Sequence, residues 1–202
     1  VVQGCPVSKC NGVGWDQDEA CGSAGCTHTN KGHWNLCHRP LLPVTGTPTP
    51  GDYCSPFSHE RESAAPWYYQ VFLDRYGVDA QLSSTLRCAF HKYTYPAGAA
   101  PAVLADLQRS NEHVRAWDIR KEGDNVFAGW QQTGEKMYFY AVANRPVTGI
   151  EPVVEGDREV RIVRFGEGDG ALELRIGFSF GSEKNARENF EAEIPATGFA
   201  EV

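Results

Sequence analysis

Tyr69-Gln70-Val71-Phe72-Leu73-Asp74-Arg75-Tyr76-Gly77-Val78-Asp79-Ala80-Gln81-Leu82-Ser83 decides the fold class. An aromatic and aliphatic run, Tyr69–Leu73, meets a polar turn that ends in glycine, Asp74–Gly77. Val78–Ser83 then alternates apolar and polar residues, the period of a half-buried strand. Further runs of this kind follow at Cys88–Tyr95 (stopped by Pro96), Ala102–Leu107, Val114–Ile119, Val126–Gln131, Met137–Ala143, Val160–Phe165 and Leu172–Phe178. Gly134 marks a hairpin between two of them, and Gly166-Glu167-Gly168-Asp169-Gly170 separates the last two. Short strands at near-regular spacing predict an all-β fold, an antiparallel two-sheet β-sandwich.

One helix stands out near the end. Ser182 is placed to cap Glu183–Glu191, Ala186, Phe190 and Ile194 fall on one face, and Pro195 stops the run. The chain therefore divides into a β-sandwich over residues 1–180, loop-rich in residues 1–50, and a helix or linker segment over residues 181–202.

The composition is that of a globular protein: of 202 residues, 41% are hydrophobic and 22% charged. Net charge is −7, which argues against a nucleic-acid-binding surface. No apolar run reaches the ~18–20 residues that span a bilayer. Val1 opens directly onto Val2-Gln3-Gly4-Cys5, with neither the basic start nor the apolar stretch of a signal peptide. The sequence reads as a mature product or as a piece of something longer.

Residues 1–55 are rich in Gly, Pro, Cys, Asn and Thr and show almost no apolar periodicity. They predict long loops, with one short strand at Leu41-Leu42-Pro43-Val44 and turn chemistry at Gly46–Asp52. Six of the seven cysteines (Cys5, Cys10, Cys21, Cys26, Cys37, Cys54, Cys88) fall in the first 54 residues. That pattern fits a disulfide-bearing exported protein, secreted or periplasmic, with one thiol left over. A competing reading groups Cys21, Cys26, His28, His33, Cys37 and His38 around zinc, but their spacing matches no standard zinc motif.

No nucleophile elbow, phosphate loop, dinucleotide fingerprint or His-Glu-x-x-His stretch occurs. His59-Glu60 is one candidate acid/base couple, set against a histidine that simply bonds a backbone group. Of the five tryptophans, Trp117 and Trp130 lie in predicted strands, where core or sheet surface explains them. Trp15 and Trp34 lie in loops, where an exposed indole calls for a ligand.

The stretch from Pro48 to Pro96 carries a family resemblance. Tyr53-Cys54-Ser55-Pro56-Phe57-Ser58-His59-Glu60, Ala64-Ala65-Pro66-Trp67-Tyr68-Tyr69, Tyr76-Gly77-Val78-Asp79-Ala80-Gln81-Leu82 and His91-Lys92-Tyr93-Thr94-Tyr95-Pro96 occur in that order. They resemble the N-terminal β-sandwich domain of glycoside hydrolase family 92, the calcium-dependent exo-α-mannosidases. The family's run there is Phe-Ser-His-Glu, Pro-Gly-Tyr-Tyr, Tyr-Gly-Ile-x-Ala-Glu-Leu and His-Arg-Tyr-x-Phe-Pro. Leu174–Ser179 and Ala186–Pro195 resemble the segment leading into the family's catalytic domain. Residues 1–40 depart from the pattern: of the family's Gly-Phe-Ser-His-Thr-His, only Gly25, His28 and Thr29 hold their places, and Cys37-His38 replaces a Gly-Asp pair.

The resemblance implies a function for a larger protein. That protein would hydrolyse terminal α-linked mannose of glycans with inversion. Its acid, base and calcium ligands would lie in a following (α/α)6 domain, the partner of this one, so the chain itself is expected to supply no catalytic residue and no metal ligand. Gly14-Trp15-Asp16 matches a family element, which makes Trp15, with Asp16 and His28, the expected substrate-binding residues. Two other classes remain open: a stand-alone carbohydrate-binding β-sandwich, and a cysteine-rich secreted module without a sugar function.

Overall fold

The computed structural model describes residues 2–6, 19–20, 23–27, 38–66, 68–110, 113–196 and 198–201, with side chains from residue 41 onward. Two antiparallel sheets dominate it. The first has six strands, in the order β1 (Val2–Pro6), β3 (Ser23–Thr27), β4 (His38–Val44), β10 (Ala102–Ala105), β15 (Arg158–Phe165) and β14 (Val147–Glu155). The second has eight: β11 (Ala116–Lys121), β12 (Val126–Gln132), β13 (Lys136–Ala143), β16 (Leu172–Ser179), β9 (Cys88–Thr94), β8 (Val78–Ser84), β7 (Tyr68–Leu73) and β6 (Glu62–Ala65). A small ribbon pairs β2 (Glu19–Ala20) with β5 (Ser55–Pro56).

The second sheet grows from two meanders, β6–β9 and β11–β13, and β16 joins them by pairing with β13 on one side and β9 on the other. The turn that closes β7 onto β8 has Gly77 at φ +64°, a backbone state glycine adopts without a Cβ clash. Alternation then sorts the side chains. Val71, Leu73, Val78, Ala80, Leu82, Leu172, Leu174 and Ile176 point into one core shared with Leu42, Val44, Val103, Ile162 and Val163 of the first sheet. Phe127 bridges the layers, edge-on to Phe139 and to Phe165 with ring centroids 6.3 Å apart in each case.

The helix α1 (Glu183–Glu193) runs two residues past its predicted end. The Ser182 hydroxyl accepts from Asn185 N at 3.1 Å, and Ala186, Phe190 and Ile194 are buried, as the spacing requires. The helix lies on the second sheet's outer face, with Phe190 against Tyr140 and Cys88. Both ends are tied down. Arg120 Nη2 donates to Glu183 at 2.6 Å, and Glu193 accepts from Arg87 Nε at 2.6 Å, from Arg87 N at 3.0 Å and from the Thr85 hydroxyl. Beyond Pro195, Phe199 folds back edge-on to Phe90 on the same face.

Two expectations need correction. Residues 1–55 hold β1, β2, β3 and β5 besides the strand at Leu41–Val44, so they are not loops with one strand. β1 is Val-Gln-Gly-Cys-Pro and β3 is Ser-Ala-Gly-Cys-Thr, and backbone pairing rather than apolar alternation defines them. β14 is also absent from the sequence reading. It is an edge strand whose one strand partner among the described residues is β15, it is mostly exposed, and it carries Pro152, which an edge tolerates and a central strand does not.

Candidate functional site

Trp15, Asp16 and His28 lie outside the described residues, as do Trp34 and most of the proposed zinc cluster (Cys21, His33 and Cys37). Cys26 and His38 fall in β3 and β4, where only the backbone is described. Among the described residues, no group of three or more His, Cys, Asp or Glu side chains is placed to hold a metal ion. The described residues therefore offer calcium no site.

Polar groups converge on Tyr53, in the segment between β4 and β7. Tyr53 is buried there, and its hydroxyl donates to Asp106 Oδ2 at 2.6 Å. Arg158 Nη2 donates to the same oxygen at 3.0 Å, and Arg109 Nη1 reaches the Tyr53 oxygen at 3.2 Å. Burial, reinforced by the Asp106 charge, pushes the Tyr53 phenol up to about 12, so it keeps its proton at neutral pH. Tyr76 closes the other side by donating to Tyr53 O at 2.6 Å. This network pins Tyr53 to the start of β15.

His59 differs. It sits in a 3-10 turn, His59–Arg61, that Ser58 caps through its hydroxyl. Its Nδ1 lies 2.5 Å from Glu62 Oε2, and Glu62 Oε1 accepts from the Tyr69 hydroxyl at 2.6 Å. The sequence pointed to Glu60 as the partner, and the geometry replaces it with Glu62. The cause is local: with three residues per turn, positions i and i+3 eclipse. That spacing is the signal that could have found Glu62. A carboxylate with only 5% of its side chain exposed fixes the imidazole, which is itself 40% exposed. The pair can orient a histidine toward a hydroxyl-bearing ligand. It supplies one carboxylate, already engaged twice, whereas glycoside hydrolysis needs two flanking one bond.

The two strand tryptophans behave as read. Trp117 packs against the core beneath Arg161, and Trp130 lies on the sheet surface with Lys136 Nζ 3.8 Å from its ring centroid. Cys54 is in a disulfide, and Cys88 is a free thiol buried under α1, pushed up to about 12 by burial and by the nearby Glu193 charge. A thiol in that state is inert rather than nucleophilic.

Comparison with known proteins agrees with this architecture. The family model described as the glycosyl hydrolase family 92 N-terminal domain matches residues 6–187. Among solved structures, the family GH92 α-mannosidase BT3965 from Bacteroides thetaiotaomicron superposes with a TM-score of 0.84 at 22% identity, over 95% of this chain and 30% of that one. The GH92 family glycosyl hydrolase ccman5 gives 0.82 at 20% identity, over 98% and 31%. The GH92 inverting mannosidase BT2199 from Bacteroides thetaiotaomicron VPI-5482 gives 0.75 at 20% identity, over 91% and 27%. At these identities the likeness is one of fold, and the chain spans about a third or less of each of these structures. No curated protein matches the sequence.

Proposed function

The chain belongs to glycosyl hydrolase family 92 as its N-terminal domain, and from that membership we propose that the protein containing it removes terminal α-linked mannose from glycans with inversion. The observation that carries the proposal is the family match over residues 6–187. Inversion needs a carboxylic acid to protonate the leaving oxygen and a carboxylate to activate water, spaced to admit that water. We assign both, and the calcium ligands, to an (α/α)6 domain that partners this one. Calcium there would supply a hard cation with oxygen ligands that holds and distorts the mannose ring. The disulfide at Cys54 supports a secreted or periplasmic setting. No helix among the described residues is long and apolar enough to cross a membrane.

The β-sandwich contributes a wall of the sugar pocket in this reading. We assign sugar binding to Trp15, Asp16 and His28, with the Trp15 indole as the group that would stack on an apolar sugar face. Trp15→Ala in the whole enzyme is expected to lower kcat/KM about tenfold or more while leaving the melting temperature nearly unchanged. A large fall in melting temperature with unchanged kinetics per folded molecule would make Trp15 a packing residue. The reaction itself is tested by proton NMR of early hydrolysis of an α-mannoside. β-Mannose as the first product supports the proposal, and α-mannose or no mannose release contradicts it.

A further inference from the structure

A cleft of about 700 Å³ opens at the edge of the sandwich, where β11 faces the β14–β15 turn, within the size range of small-molecule sites. Trp117 forms part of its wall. One side packs on the core, and the Arg161 guanidinium carbon lies 5.2 Å from its ring centroid. Arg161 is held in turn by Glu159, with Nη2 2.8 Å from Oε1, while its buried Nε has no partner among the described residues. Arg158 is anchored on the buried Asp106. Two lining side chains are uncommitted: those of Arg115, before β11, and Asp157, in the β14–β15 turn, are exposed and pair neither with each other nor with another described residue.

We propose that this cleft binds a neutral oligosaccharide. The charges lining it balance, three guanidinium groups (Arg115, Arg158, Arg161) against three carboxylates (Asp118, Asp157, Glu159), so it offers no excess of either sign to a phosphate or a polycation. A sugar hydroxyl is both donor and acceptor, and it meets both needs between a guanidinium and a carboxylate. Trp117, half-buried in the wall, is the cleft's aromatic surface. The assignment rests on the family reading only for its choice of mannose as first probe, since it concerns residues that the resemblance does not nominate.

The test is a backbone amide NMR titration of the purified protein with α-1,2-mannobiose, and with cellobiose as a second neutral probe. Shifts that saturate at millimolar sugar and map to residues 115–118 and 156–161, with either probe, are the expected result. The double variant Arg115→Ala, Asp157→Ala removes only exposed, unpaired groups, so its fold should persist and its Kd should rise at least about tenfold. Shifts confined to other segments, no shifts at all, shifts with inorganic phosphate but with neither sugar, or unchanged affinity in the double variant would each overturn the site. Binding is read here without hydrolysis, so an inactive enzyme that still shows the shifts fails the mannosidase reading and leaves the cleft standing.

Discussion

Gly177→Ala is expected to destabilise the protein by about 3 kcal/mol, the upper part of the range for overpacked cores. Gly177 lies in β16 directly beneath α1, and a Cβ there would sit 2.2 Å from Ala186 O and 2.9 Å from Phe190 Cβ. Backbone cannot move out of the way as a flexible side chain can, so the helix must lift. Lifting it exposes Phe190 and loosens the clamps at Glu183 and Glu193. For a domain of this size the melting temperature should fall by roughly 6–12 °C. Gly134→Ala, in the open β12–β13 turn with nothing within 4 Å of the new Cβ, is the control. Thermal unfolding of the two variants checks the point, and equal melting temperatures would refute it.

The second large effect is acid-dependent. His91 is 2% exposed, in β9, with Nδ1 2.7 Å from the Tyr93 hydroxyl. Burial pushes its pKa down from 6.5 to about 4. Its folded-state value is thus lower than its unfolded-state value. The unfolded chain takes up the proton first as pH falls, so stability is complete above about pH 6.5 and is lost between there and about pH 4. The loss over that window is on the order of 3 kcal/mol from this one ring. His91→Gln keeps a polar side chain near Tyr93 but cannot titrate. Denaturant unfolding at a series of pH values should show a clearly shallower decline for the variant over that window, whatever its stability at pH 7. Parallel curves would mean that His91 is not the group responsible.

His91 also shows where sequence reading stops. Its strand was legible because Cys88–Tyr95 is bounded by Pro96 and rich in strand formers, but nothing in the run tells that an imidazole lies in the core rather than on the solvent face. The layers themselves were legible wherever one face is buried: Val78–Ser83, Met137–Ala143 and Leu172–Phe178 alternate as they must, and Ala186, Phe190 and Ile194 mark the helix face. β14 was not, because an edge strand carrying Pro152 and Gly149 and open to solvent has no apolar alternation to detect. β1 and β3 were hidden for a related reason, since small and polar residues pair by backbone alone. In the polar clusters, the pairing of His59 with Glu62 follows from a single 3-10 turn and was within reach. The contact of Tyr53 with Asp106 joins residues 53 positions apart and depends on the tertiary fold. The family blocks from Tyr53 to Pro96 are dominated by residues that build this sheet and this network, which is why the resemblance is strong in architecture and names few sugar contacts.

The central claim is that this domain belongs to an α-mannosidase whose paired carboxylates lie outside it. Its most direct test is mannose release from an α-mannoside by the purified 202-residue chain, compared with the larger protein that contains it, each with calcium and with a chelator. The account predicts release by the larger protein with calcium, loss of that release with chelator, and none by the 202-residue chain under either condition. Calcium-dependent release by the 202-residue chain alone would contradict it.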